Sequence, residues 1–251
     1  MKKKSVEIIF SVITVSYNAC ETIEVTLKSV AAQNYPWIEY IVIDGGSTDG
    51  TREIIEKYSS SITTFVSERD GGIYDAMNKG IKLATGDYLC FINAGDSFYR
   101  ENTLEKIVQG MRGIHLNSLP DIIYGETALV NSKREFVKMR RLSAPENLSW
   151  KTFKEGMLVC HQAFYPKREK VPLYDLNYKF SADYDWCIKI LAQSESVYHA
   201  EMTLVNYLNE GVTTKNRWKS LLERFRIMQK HYGLGITLLQ HMWFVIRLLF
   251  K

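Results

Sequence analysis

Four apolar runs in the first half of this chain each stop in a polar, loop-like cluster. The runs are Ile8–Ser16, Glu39–Asp44, Thr63–Ser67 and Tyr88–Ile92. The clusters are Ser16-Tyr17-Asn18, Asp44 to Thr51, Glu68 to Gly72, and Asn93-Ala94-Gly95-Asp96. Runs rich in Ile and Val read as strands buried on both faces, as in a parallel sheet. Helical stretches separate them, so right-handed crossovers would deliver all four strand ends to one edge. Open parallel sheets bind ligands at that edge, which makes the four clusters the first place to look for chemistry.

The helical stretches carry their own signals. Asn18 followed by Glu21 has the spacing of a capping box, ahead of a stripe of Ile23, Leu27, Val30 and Ala31. Gly50 and Thr51 open a second helix with Ile54, Ile55 and Tyr58 inward; Ile73–Ala84 and Glu101–Arg112 form two more. Beyond residue 120 the pattern loosens. Asp121–Glu126 and Ala128–Lys138 read as a pair of strands, Leu158–Tyr165 and Val197–Val205 as two others. Asp183–Ala192 reads as a helix capped by Ser181, and Arg217–Tyr232 as a helix burying Trp218, Leu221, Leu222, Phe225 and Met228. Asn209–Asn216 is the candidate boundary between body and tail.

With 251 residues, 46% of them hydrophobic and 24% charged, the chain is long enough for one large domain plus an extension. The net charge of +4 is unevenly spread. Residues 217–251 hold seven basic residues and one acid, a net +6, leaving −2 for residues 1–216. A nucleic-acid role for the body therefore has little support. The four cysteines show no zinc spacing and point to a reducing compartment. Lys2-Lys3-Lys4 leads straight into a strand without the apolar core of a signal peptide, so the expectation is a cytoplasmic protein.

Asp44 ends a strand and precedes two glycines, which let backbone approach a ligand closely; its carboxylate could accept hydrogen bonds from a base or ribose. Asp49 and Thr51 read as helix caps. Asp96, at another strand end, suits a divalent cation that also holds phosphate oxygens, with a type I turn as an equal reading. Asp183 and Asp185 open a helix, where acids are favoured by the dipole in any case. The functional reading for Asp183 is a general base, accepting a hydroxyl proton as the new bond forms. His161 reads as a structural or substrate-contacting group, and Lys138, Arg140 and Arg141 as a solvated face.

Taken in order, these motifs resemble the family 2 inverting glycosyltransferases. The segments are Ser11 to Asn18, Ile43 to Thr51, Glu68 to Ile81, Phe91 to Asp96 and Ala182-Asp183. The resemblance is dense over residues 8–100 and thinner to about 215. It departs from the family pattern at Gly45, Asn93, Met77 and Ala182, in the manner of a bacterial polysaccharide-assembly branch. The resemblance implies a GT-A (Rossmann-like) α/β fold, with a mostly parallel sheet flanked by helices over residues 1–216 and a basic helical extension over 217–251. It implies an inverting enzyme that moves a sugar from a UDP- or GDP-linked donor to a saccharide or lipid-linked saccharide. Asp183 would be the catalytic base, and Asp96 would hold Mn2+ or Mg2+. Tyr17 and Asp44 would hold the nucleobase, and Asp70 and Asp75 would lie near the ribose or sugar. Thr14, Asn18, Tyr74, Asn78, Asn93, His161 and Asp185 would line donor or acceptor.

Leu234–Phe250 is apolar but interrupted by Gln240, His241 and Arg247, too broken to span a bilayer. An interfacial helix on the inner face of the plasma membrane is the first reading, and packing on the body or on a second subunit is the second. The competing class for the whole chain is a non-catalytic nucleotide-sugar-binding subunit that recruits a partner to the membrane. A nucleotidyltransferase would open on a glycine-rich loop, and a dehydrogenase on GxGxxG; the first loop here is Tyr17-Asn18-Ala19-Cys20.

Overall fold

Strand β1 (Phe10–Ser16) lies at the centre of the chain's first half, and all seven of its residues are buried. In the computed structural model, which describes residues 7–113, 118–209 and 217–249, it pairs in parallel with β2 (Ile38–Asp44) on one side and β4 (Tyr88–Phe91) on the other. Strand β3 (Thr64–Ser67) adds beyond β2, giving the order β3-β2-β1-β4. Ser16 stands opposite Asp44, and Asp44 opposite Ser67, so three of the clusters share one edge as expected. Each buried Val, Ile or Phe of β1 contributes about 1.5–3 kcal/mol, which fixes the strand in the interior.

Helices α1 (Ile23–Ala31), α2 (Thr51–Glu56), α3 (Ile73–Leu83) and α4 (Thr103–Gly113) connect and cover these strands. Helix α3 packs tightly on β1. A Cβ placed on Gly80 would lie 2.5 Å from Ile13 Cγ2, so only glycine allows this approach. The capping box is not formed. Asn18 sits at φ 46, Thr22 precedes α1 without a side-chain cap, and the Asn18 Oδ1 instead accepts from the Thr48 amide (3.0 Å). Ala31 faces solvent.

The second half forms a mixed sheet in the order β5 (Ser97–Phe98), β9 (Val197–Leu208), β6 (Ile122–Val130), β7 (Phe136–Met139). A short β8 (Phe164–Pro166) also pairs with β6. Ile122–Val130 is a single strand, and the hairpin turn falls at 131–135 rather than near Thr127. Leu158–Tyr165 is not a strand either: His161–Ala163 is one 3-10 turn leading into β8. A bridge between Tyr88 and Lys167 joins the two sheets. Aromatic rings of Phe91, Phe164, Tyr174 and Trp186 fill the junction, with Tyr174 and Trp186 stacked at 4.9 Å.

Helix α5 (Ala182–Ala192) leads to α6 (Arg217–Tyr232) and α7 (Leu234–Leu249). Glu223 of α6 accepts the backbone amides of Lys179, Phe180 and Ser181. Ser181 does not cap α5 through its hydroxyl, which lies 3.0 Å from that of Ser220. The buried face of α6 is Ser220, Ile227, Met228 and Tyr232; of the stripe expected from the sequence Met228 is buried and Phe225 half-buried, while Trp218, Leu221 and Leu222 point outward. The boundary segment 210–216 and Lys2-Lys3-Lys4 lie outside the described residues.

Candidate active site

The edge where β1, β2 and β3 end is built around Asp44. Its carboxylate has no exposed surface. It accepts hydrogen bonds from the amides of Gly46 and Ser47 and from the hydroxyls of Ser16, Ser47 and Ser67. Burial alone would raise its pKa; the Ser47, Ser67 and Ser16 donors outweigh that and hold it below the ordinary carboxylate value. Asp44 thus braces the turn and is not placed to touch a ligand. Gly50, not Asp49, is the residue that precedes α2; Asp49 sits one place earlier and accepts the Thr51 amide at 3.1 Å.

What lies open beside this turn is Tyr17, 66% exposed, and the carboxylate of Asp70. A Cβ on Gly45 would fall 2.6 Å from Asp70 Oδ2 and 3.3 Å from the Tyr17 ring. The missing side chain at 45 is therefore the space into which Asp70 reaches. Asp70 Oδ1 accepts the Gly72 amide (2.8 Å), and Asp75 accepts that of Gly71 (2.9 Å), which fixes the entry to α3.

Three further sequence candidates turn out to hold the scaffold. Thr14 is buried and donates to the Ile92 carbonyl (2.7 Å). Asn78 exchanges both hydrogen bonds with the backbone of Tyr174. Asp185 is buried against α6, 2.7 Å from His231 Nε2 and 2.6 Å from Lys189 Nζ. None of the three faces the cleft, because each is consumed by a buried partner.

Across the cleft, Asp183 stands in the first turn of α5. Its Oδ1 accepts the Tyr184 amide (3.0 Å) and the Tyr74 hydroxyl (3.3 Å). Its Oδ2 lies 3.7 Å from His161 Nδ1, too far for a hydrogen bond. Burial lowers the His161 pKa, and Arg140 adds to this against the pull of Asp183, so the ring favours its neutral form. The neighbouring Gln162 donates to Asp96 Oδ2 (2.9 Å). The turn at 161–162 thus joins Asp183 to Asp96, two residues 87 positions apart in sequence.

Asp96 is buried in the turn after β4; its Oδ1 accepts the Leu208 amide (3.0 Å). Burial pushes its pKa up to about 7 despite these donors. In the same turn the Asn93 side-chain oxygen is buried with no hydrogen-bond partner. Each Asp96 oxygen accepts one hydrogen bond and keeps a lone pair, so the two side chains offer a hard, all-oxygen donor set that fits Mg2+ or Mn2+. No cluster of three or more His, Cys, Asp or Glu side chains arranged for a metal occurs among the described residues, so substrate oxygens or water would complete the shell.

Two residues of this site carried no sequence signal. Gln162 positions Asp96, and Arg134, at the tip of the β6–β7 hairpin with φ 67, donates to the Gly95 carbonyl. A left-handed non-glycine residue is the kind of local strain found at functional sites. Arg140 is not part of a solvated face; it donates to the carbonyls of Leu142, Met157 and Leu158, bracing the chain ahead of His161.

Residues 11–169 match the family described as Glycosyl transferase family 2. The chain belongs to that family. It is 30% identical over 237 residues to a PGL/p-HBAD biosynthesis glycosyltransferase of Mycobacterium tuberculosis, covering 91% of this chain and 87% of the relative. It is 28% identical over 216 residues to the putative teichuronic acid biosynthesis glycosyltransferase TuaG of Bacillus subtilis, covering 84% and 83%. The fold is that of S. aureus TarS (TM-score 0.67, 17% identity), where 91% of this chain spans 41% of TarS. A shorter TarS, residues 1–349, is solved with UDP-GlcNAc. The same fold occurs in the Pyrobaculum calidifontis mannosyltransferase PcManGT, solved with GDP-Man and Mn2+ (TM-score 0.64, 16% identity, 94% of this chain and 71% of that one). The GT-A architecture expected from the motifs is the one observed, and the protein is a glycosyltransferase.

Proposed function

We propose that this glycosyltransferase inverts the anomeric centre as it moves a sugar from a UDP- or GDP-linked donor to a saccharide or lipid-linked saccharide, in the synthesis of a bacterial surface glycan. The observation that carries the reading is that one turn, His161-Gln162, lies against both carboxylates: Gln162 donates to Asp96, and His161 Nδ1 is 3.7 Å from Asp183. The names of the relatives and the nucleotide sugars held by the two neighbours support the donor and glycan class.

In this reading the nucleobase lies on the exposed Tyr17 ring, with the Asp70 carboxylate reading its N–H over the gap at Gly45. The diphosphate meets the turn 93–96. Asp96 and Asn93 would hold the divalent cation, which would supply positive charge at the leaving phosphate. Arg134 adds a fixed positive charge at the same turn. Tyr74 and the Tyr184 amide occupy Asp183 Oδ1, leaving Oδ2 to accept the acceptor's hydroxyl proton. Attack comes from the face opposite the diphosphate, and that inverts the sugar. His161, neutral and adjacent, leaves the Asp183 charge uncompensated.

The test is Asp183→Asn. Transfer is expected to fall by about 10²–10⁴-fold, with nucleotide affinity unchanged. Full activity in the variant would remove Asp183 from the role.

A further inference from the structure

Helix α7 wears its residues inside out. Thr237 is fully buried, and Gln240 and His241 are turned toward the body. The Thr237 hydroxyl donates to the Gly233 carbonyl (2.8 Å), and His241 packs edge-on against Phe225 and Phe244. The outward arc is Leu234, Leu238, Leu239, Met242, Trp243 and Ile246, with Leu239 66% and Met242 62% exposed. Trp218 of the adjoining helix α6 is also 80% exposed. A helix on a soluble body normally turns its apolar stripe inward, and a contiguous exposed apolar patch marks an interaction surface.

We propose that this face lies in the interfacial layer of an anionic lipid bilayer. Charge decides between occupants. Residues 217–251 carry a net +6, and their one acid, Glu223, is engaged by the three amides of 179–181. Two copies meeting through this face would bring two such segments together, whereas anionic headgroups complement them. The outward arc offers no polar side chain that would lose its partners among acyl chains. Trp218 and Trp243 suit the headgroup boundary. No helix among the described residues is long and apolar enough to cross a membrane, so α7 lies along the surface for about 24 Å. The inference stands on the helix alone and does not require the transferase reading.

The test uses the full chain, pelleted with phosphatidylcholine vesicles with and without phosphatidylglycerol. Pelleting is expected with the phosphatidylglycerol vesicles, weakening as salt is added. The variant Leu239→Ser/Met242→Ser/Trp243→Ser should bind at least about tenfold more weakly, with an unchanged melting temperature. The proposal is overturned if the wild type stays in the supernatant with phosphatidylglycerol vesicles, or if the variant pellets equally well. It is also overturned if sedimentation equilibrium finds a dimer that the variant dissociates while vesicle binding is absent.

Discussion

At the scale of single residues, the same side-chain type serves opposite purposes within a few ångströms. Asp44 spends both oxygens on five donors from its own turn and from the ends of β1 and β3, whereas Asp70 keeps one oxygen at the open gap over Gly45. Gly45→Ala is therefore expected to push Asp70 aside and weaken UDP or GDP binding by about tenfold, measured by titration calorimetry. Combining it with Asp70→Ala should add little, because both changes remove one contact. Asp44→Ala should instead cost about 3 kcal/mol of stability by stranding buried donors. The pH dependence follows from the depressed pKa: the carboxylate's contribution is present above its unfolded value near 4 and is lost as pH falls through the lower folded value. Acid melting curves of Asp44→Asn should be flatter below about pH 4 than those of the wild type. The sequence could name Asp44 and Asp70 as candidates because both sit at strand ends. It could not tell them apart, since only the folded turn decides which carboxylate is used up by its own backbone. The same holds for Thr14 and Asn78, whose backbone partners at Ile92 and Tyr174 only the fold reveals.

The elements differ in how plainly the sequence announces them. Strands β1, β2 and β4 were legible because a parallel strand buried on both faces is rich in Val, Ile and Phe, as Phe10, Val12, Ile13 and Val15 are in β1; the half-buried edge strand β3 carries a weaker signal. The second half was not. β8 has three residues, and β9 pairs in parallel with β6 but antiparallel with β5, so neither leaves a clean period in the sequence. Helix α6 carries apolar residues on two faces: Ile227 and Met228 are buried, Trp218 and Leu222 face outward, and the buried carboxylate of Asp185 also joins it to α5. Asp185 meets His231 and Lys189 there, with Lys230 at 3.7 Å. Asp185→Leu should cost about 3 kcal/mol, because it leaves Lys189, Lys230 and the His231 ring without their acid; chemical denaturation would measure it. A loss below about 0.5 kcal/mol would mean the pair does not tie the helices together.

For the whole molecule, the site exists because one sheet reaches into the other. The parallel sheet supplies Tyr17, Asp70 and Asp96, and the mixed sheet sends Arg134 from a hairpin tip and Gln162 from the turn before β8. Arg134→Ala is expected to weaken nucleotide binding by about tenfold in the presence of EDTA as well as of Mn2+, since its charge acts directly on the phosphates. Equal binding by variant and wild type in both buffers would show that the hairpin only closes the turn. Asp183, the proposed base, stands at the start of α5, and the three amides just before it are held by a single carboxylate from α6. Glu223 therefore works like a latch between the anchor and the reaction. Removing residues 217–251 would leave those amides bare and loosen the footing of Asp183, so the shortened protein should turn over slowly even on a small soluble acceptor with no lipid in the tube.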